Sequence, residues 1–259
     1  MKSAFTVLNM KTVLIFFVGA LSLMCKAPDN IKSILFIDEP SDNIVWYGLN
    51  DSFDIPNDKL KQKIINALAG EPDESREIAL YYGLFLFDYN ESYKWFIITA
   101  ENNHREAHYM LANILLNFPP DLDSKTRGIF WLYGMAKIGY RDTEEWLERE
   151  GYTLQTARPP DDSYFPDDYA RLSETELEDC ETGALQGNKK AAWLLGKYYS
   201  EIQVDNEFSE YWYRIGAQNG SPECQYILGQ IMSTKEDELE QMRGKFWVDR
   251  AIQNVVSTN

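Results

Sequence analysis

The chain's only two histidines fall in His104-Arg-Glu-Ala-His108, a spacing that sets both rings on one face of a helix and could begin a zinc site. The metalloprotease motif of that spacing needs Glu at position 105, which is Arg, and its inverted form needs Glu at 107, which is Ala. With no third ligand in view, the pair reads as ordinary repeat-surface histidines and no metal is expected. Four carboxylates at Asp161, Asp162, Asp167 and Asp168 could gather a hard cation, but the alternating ligands and central Gly of a calcium loop are missing. They read instead as a solvated loop, or, with Tyr164 and Phe165 between prolines, as a segment that docks a partner protein. These six residues are the candidate partner-binding set. No nucleophile elbow, phosphate loop or dinucleotide glycine fingerprint occurs, and two histidines on one helix leave few ways to build a Ser-His-Asp arrangement. No catalysis and no cofactor are expected.

Most aromatic residues belong to a pattern. One kind of segment has a small residue followed by an apolar run, as in Ala79-Leu-Tyr-Tyr-Gly83, Ala107-His-Tyr-Met-Leu-Ala112, Ala192-Trp-Leu-Leu-Gly196 and Cys224-Gln-Tyr-Ile-Leu-Gly229. The other runs from aromatic to small, as in Tyr93-Lys-Trp95-Phe96 to Ala100, Phe130-Trp131 to Ala136, Tyr211-Trp212 to Ala217 and Phe246-Trp247 to Ala251. The two kinds alternate, and Trp95 to Trp131, Trp212 to Trp247 and Gly196 to Gly229 are separated by 36, 35 and 33 residues. A helical hairpin cannot cover its own apolar face, so hairpins stack, with Gly or Ala where a neighbour's aromatic ring inserts. The Trp and Tyr stripes are therefore core packing, not a ligand platform. Helix ends agree: Asp123 or Ser124, Asp205 or Asn206, and Ser221-Pro222 are caps, while Gly139 and Gly220 are stops.

Ala191-Ala-Trp-Leu-Leu-Gly-Lys-Tyr-Tyr199 followed by Tyr211-Trp-Tyr-Arg-Ile-Gly-Ala-Gln-Asn-Gly220 resembles a Sel-one-like repeat, best over residues 189–220. The resemblance implies an all-α fold: an α/α superhelical solenoid of about four such hairpins, with an irregular Pro/Asp-rich insert. The divisions expected are a signal peptide at 1–25, an N-terminal segment and capping helix at 26–74, two hairpins at 75–139, insert and restart helix at 140–188, and two hairpins at 189–259. Within 26–55, Ile34-Leu-Phe-Ile37 and Ile44-Val-Trp-Tyr47 suit chain extended along the first hairpin. Arg158-Pro-Pro to Asp168 cannot be helical, and a helix restarts near Ser173.

Lys2 and Lys11 precede the uncharged apolar run Val13–Met24, the length of a secretory core and too short to span a bilayer. Cys25 then stands where an exported lipoprotein is acylated, although Ser22 and Met24 depart from the pattern around that cysteine; release after Ala20-Leu21-Ser22 is the alternative. Either outcome locates the chain in the periplasm, soluble or lipid-anchored. Cys180 and Cys224 lie on helices separated by two others, so they are expected as small core residues and not as a disulfide.

The formal charge of −16, from 41 acidic and 25 basic residues, opposes nucleic acid and favours a basic protein surface. The family resemblance implies adaptor roles, and its small exported bacterial members include candidate immunity proteins that neutralise toxins, notably phospholipase effectors. The expected function is a non-catalytic binding scaffold of that kind, meeting a secreted effector and touching membrane only through a lipid anchor; an envelope scaffold for a secretion or stress-response complex is the alternative.

Overall fold

A computed structural model of the chain describes residues 53–117, 122–140 and 142–257. The signal segment, Cys25 and most of the 26–55 stretch lie outside these residues. Eleven α-helices and no strand occur among the described residues: α1 Asn57–Leu68, α2 Pro72–Leu80, α3 Tyr89–Glu101, α4 Arg105–Asn117, α5 Leu122–Lys137, α6 Thr143–Arg149, α7 Glu174–Leu185, α8 Lys189–Glu201, α9 Asn206–Gln218, α10 Pro222–Ser233 and α11 Glu238–Ser257. None is long and apolar enough to cross a membrane.

Local sequence sets the ends. Asp88 accepts from the Glu91 amide and Asp205 from the Glu207 and Phe208 amides, opening α3 and α9. Ser221 accepts from the Cys224 amide at α10, and Ser173 forms a reciprocal capping box with Glu176 at α7. Helices pack in adjacent pairs, α2 with α3, α4 with α5, α8 with α9 and α10 with α11. Trp95, Trp131, Trp212 and Trp247 are all buried between them. The proline-rich stretch crosses as two 3-10 turns, Asp162–Tyr164 and Tyr169–Arg171. Cys180 and Cys224 are free and fully buried; burial pushes their thiols up to about 11 and about 12.

Above the hairpin period lies a longer one. Residues 117 apart do the same job: Gly70 and Gly187 have φ of +113° and +104°, and Phe87 and Val204 have φ of 56° and 55°. Ser92 donates to the Ala79 carbonyl at 2.7 Å, as Ser209 does to that of Gly196 at 3.0 Å. His108 bonds the Ala100 carbonyl and Gln225 the Ala217 carbonyl. From α5 onward the offset is 116, matching Phe130-Trp131 to Phe246-Trp247. Helices α1 to α5 and α7 to α11 are thus two copies of one unit. The copies face each other about a pseudo-twofold axis, α11 touching α1 just as α5 touches α7. Helix α1, the first among the described residues, is therefore more than a cap on the first hairpin: it receives α11, as α7 receives α5.

Two glycines make these contacts. A Cβ at Gly70 would lie 2.8 Å from the Phe246 ring, and one at Gly187 would lie 2.5 Å from the Phe130 ring, at backbone angles a side chain rarely adopts. Gly70→Ala and Gly187→Ala are each expected to lower the unfolding free energy by about 2 kcal/mol or more in urea titrations. Gly134→Ala, on the exposed side of α5 with nothing near its Cβ, should raise it by about 0.5–1 kcal/mol.

Candidate functional site

Each copy of the unit sends one arginine into the other. Arg243 of α11 donates through Nη2 to Glu101 Oε2 at 2.8 Å and through Nη1 to Asn102 Oδ1 at 2.7 Å and the Leu68 carbonyl at 3.4 Å. The Arg243 and Glu101 side chains are only 3% and 0% exposed. Arg127 of α5 repeats this, donating through Nη1 to Asn219 Oδ1 at 2.8 Å and the Leu185 carbonyl at 3.3 Å. The guanidiniums stack over Phe246 at 3.8 Å and Phe130 at 4.1 Å. The receiving asparagines are themselves anchored, Asn102 to the Ala67 carbonyl and Asn219 to that of Ala184, both at 2.8 Å. Carbonyls at helix C-termini lack partners within the helix and attract cations, so an arginine satisfies both needs.

The junctions differ at one position. Glu101 and Gln218 are equivalent residues, and they meet: Gln218 Nε2 donates to Glu101 Oε1 at 2.9 Å, while Gln218 Oε1 accepts from Arg127 Nη2 at 2.9 Å. Two carboxylates at this spot would repel at low dielectric, and two amides would strip Arg243 of its counter-charge. The Glu/Gln pair completes the chain Arg127–Gln218–Glu101–Arg243. Burial lowers the Arg127 guanidinium to about 9, still charged at neutral pH, and lowers Arg243 against the pull of Glu101.

Beside this chain a half-open cleft of about 430 Å³ takes both members of several equivalent pairs as its lining, including Trp131 with Trp247 and Glu101 with Gln218. Arg250 lines it too, donating to the Glu101 carbonyl and, at 2.8 Å, to Asn103 Oδ1. None of these polar residues was among the expected site residues. The available signal was an arginine three residues before Phe-Trp in both halves, at Arg127 and Arg243.

The expected site residues have mixed placements. Phe165 is 7% exposed with its ring against Gly183, so it is a core residue and no surface for a partner. Asp161 and Asp168 accept from the Ser163 and Ala170 amides, opening the two 3-10 turns. Asp162 accepts from Asn188 at 2.8 Å. Asp167 accepts from Lys190 at 2.5 Å, which holds its carboxyl below the usual range. Tyr164 stands 83% exposed. The insert therefore folds onto α7 and α8, and Tyr169 meets the Trp193 ring edge-on at 5.9 Å. Trp193 also lines an apolar groove of about 540 Å³ that includes Tyr226, Ile252, Val255 and Val256, the last 71% exposed.

The histidines serve the frame. His104 Nδ1 accepts from the Ala107 amide at 3.3 Å, as Ser221 does from Cys224 in the other half. His108 bonds the Ala100 carbonyl at 2.9 Å and stacks on Trp131 at 5.0 Å, and burial pushes its ring down to about 4. Among the described residues no group of three or more His, Cys, Asp or Glu stands together as a metal site. Comparison with protein-family models, curated proteins and solved structures found no match to this chain.

Removing one member of a desolvated ion pair strands the other, so Arg243→Met should cost about 3–5 kcal/mol in urea unfolding. The double variant Arg243→Met, Glu101→Leu should lose less than the sum of the two single losses. A second expectation concerns pH. The unfolded chain binds a proton on His108 near pH 6.5 that the folded chain refuses down to about 4. This contribution is complete above pH 6.5 and is lost as pH falls toward 4, by about 3 kcal/mol at the low end. His108→Gln, which copies Gln225, should keep the carbonyl bond and flatten that part of the pH profile in urea titrations at pH 7 and 4.5.

Proposed function

We propose that the protein is a non-catalytic, protein-binding scaffold of α/α hairpins coiled as a superhelix, whose docking surface is the α10–α11 groove together with the acidic insert beside it. The single observation that carries this reading is that the two share Trp193, which lines the groove and meets Tyr169 of the insert edge-on. A contiguous exposed apolar surface rimmed by charge is the usual mark of an interface. Ile252, Val255 and Val256 supply the apolar part, and Asp161, Asp162, Tyr164, Asp167 and Asp168 the polar flank. The partner that fits is a protein with an apolar segment flanked by lysine and arginine, steered in by the −16 field. The repeat resemblance and the secretory-type N-terminus support the narrower reading of an immunity protein in a bacterial envelope, held soluble or by acylated Cys25, that neutralises a toxin or phospholipase effector.

An amphipathic peptide of leucine and lysine, followed by fluorescence anisotropy, tests the surface chemistry, with a leucine and glutamate peptide as control. Ile252→Asp and Val256→Asp are each expected to weaken the leucine–lysine peptide about tenfold. Attraction by net charge alone would instead strengthen, because each variant adds a negative charge. Asn at Asp161, Asp162, Asp167 and Asp168 should reduce the salt dependence. Equal affinity of the Ile252→Asp variant, or equal binding of the glutamate peptide, would overturn the docking surface.

A further inference from the structure

The axis of this acidic protein is locally basic. Arg250 and Lys189 line the cleft, Arg127 and Arg243 stand behind its wall through their bonds to Gln218 and Glu101, and Glu101 is the one carboxylate among the described residues acting on Arg243 and Arg250. Arg127 sits directly behind Gln218 of the cleft wall, is 5% exposed, and has no carboxylate partner among the described residues. Its equivalent, Arg243, has Glu101. Lys189 is exposed on the cleft wall and likewise makes no ion pair among the described residues. Among the described residues these four cations have one carboxylate between them, an arrangement that favours an anion in the cleft.

Two further features describe the anion. The indole of Trp247, a residue of the cleft wall, is 1% exposed, and its Nε1 is closed off from solvent without a partner. The wall is otherwise mixed: Ala100, Ala217, Pro222, Trp131 and Trp247 give it apolar ground, set among the amides of Asn103, Gln218, Gln225 and Asn254. A volume of about 430 Å³ falls in the range of small-molecule sites and well below what a folded partner needs. A phosphoryl group, doubly charged and strongly hydrated, calls for several free donors together. The cleft offers one mobile ammonium and a guanidinium already engaged with the Glu101 carbonyl and Asn103, which suits a single negative charge.

We infer that the cleft on the pseudo-twofold axis is a binding site for a small organic carboxylate with an apolar body, its charge met by Lys189 and Arg250 and its body held against Trp131 and Trp247. This site shares only Pro222 with the lining of the groove, and it does not depend on the role of the groove or the insert.

Isothermal titration of the whole chain with phenylacetate tests it, with phenethylamine and inorganic phosphate as the other arms and the Trp247 indole N–H resonance as the reporter of place. Phenylacetate should bind saturably and shift that resonance, phenethylamine should not bind, and Lys189→Gln, at an exposed position, should weaken phenylacetate about tenfold. Arg250→Gln should weaken it similarly, with unfolding curves run alongside to show that the variant is folded. Silence with phenylacetate, whether or not phosphate binds, would overturn the inference. Full affinity in Lys189→Gln, or binding that leaves the Trp247 resonance unmoved, would do the same.

Discussion

A guanidinium and a carboxylate sealed from water join α11 to the end of α3, the same guanidinium reaches the end of α1 at the Leu68 carbonyl, and the arrangement of the other helices follows from that meeting. Desolvating Arg243 and Glu101 is expensive, and the attraction between them returns that cost only with good geometry and full hydrogen bonding. Asn102, the Leu68 carbonyl and the Phe246 ring provide it. A well-packed apolar contact could hold the same helices as firmly, but it could slide. A fork that must meet a carboxylate, an amide oxygen and a carbonyl together has one register, and the second copy at Arg127 imposes the same register on the other side.

Stacked hairpins ordinarily run on as an open coil in which each repeat touches only its neighbours. Here contacts such as Arg243 to Leu68 link residues 175 apart in the chain, so the two halves are stabilised by each other and not by neighbours alone. The cleft on the axis exists for the same reason: its walls come from both halves, and either half alone would supply only one side.

Local features were legible in the sequence because their physics is local. Small and aromatic residues at helical spacing identified the hairpins; Asp205, Ser173 and Ser221 marked starts, and Gly139 and Gly220 marked stops. The 117-residue duplication was written just as plainly, in Gly70 and Gly187, Asn102 and Asn219, and the two Phe-Trp pairs. A search weighted toward apolar periodicity passes over it, since the residues that join the halves are polar and their side-chain partners lie more than ninety positions away. Phe165 misled for the opposite reason. Its neighbours are prolines and aspartates, and only the approach of Gly183 shows that the ring turns inward.

The meeting of Glu101 with Gln218 separates this chain from a true homodimer of the same shape. In a dimer of identical subunits, a residue on the twofold axis faces itself, and the only pairs available are acid with acid or amide with amide. Joining both copies in one polypeptide lifts that restriction, so the two positions can be complementary instead of identical. A single atom of difference, oxygen in one side chain and nitrogen in the other, gives the assembly a direction: one half carries the charge and the other carries the hydrogen-bond donor. The halves can then diverge in their outward faces, as the apolar groove on one of them shows, while the seam that holds them together stays complementary.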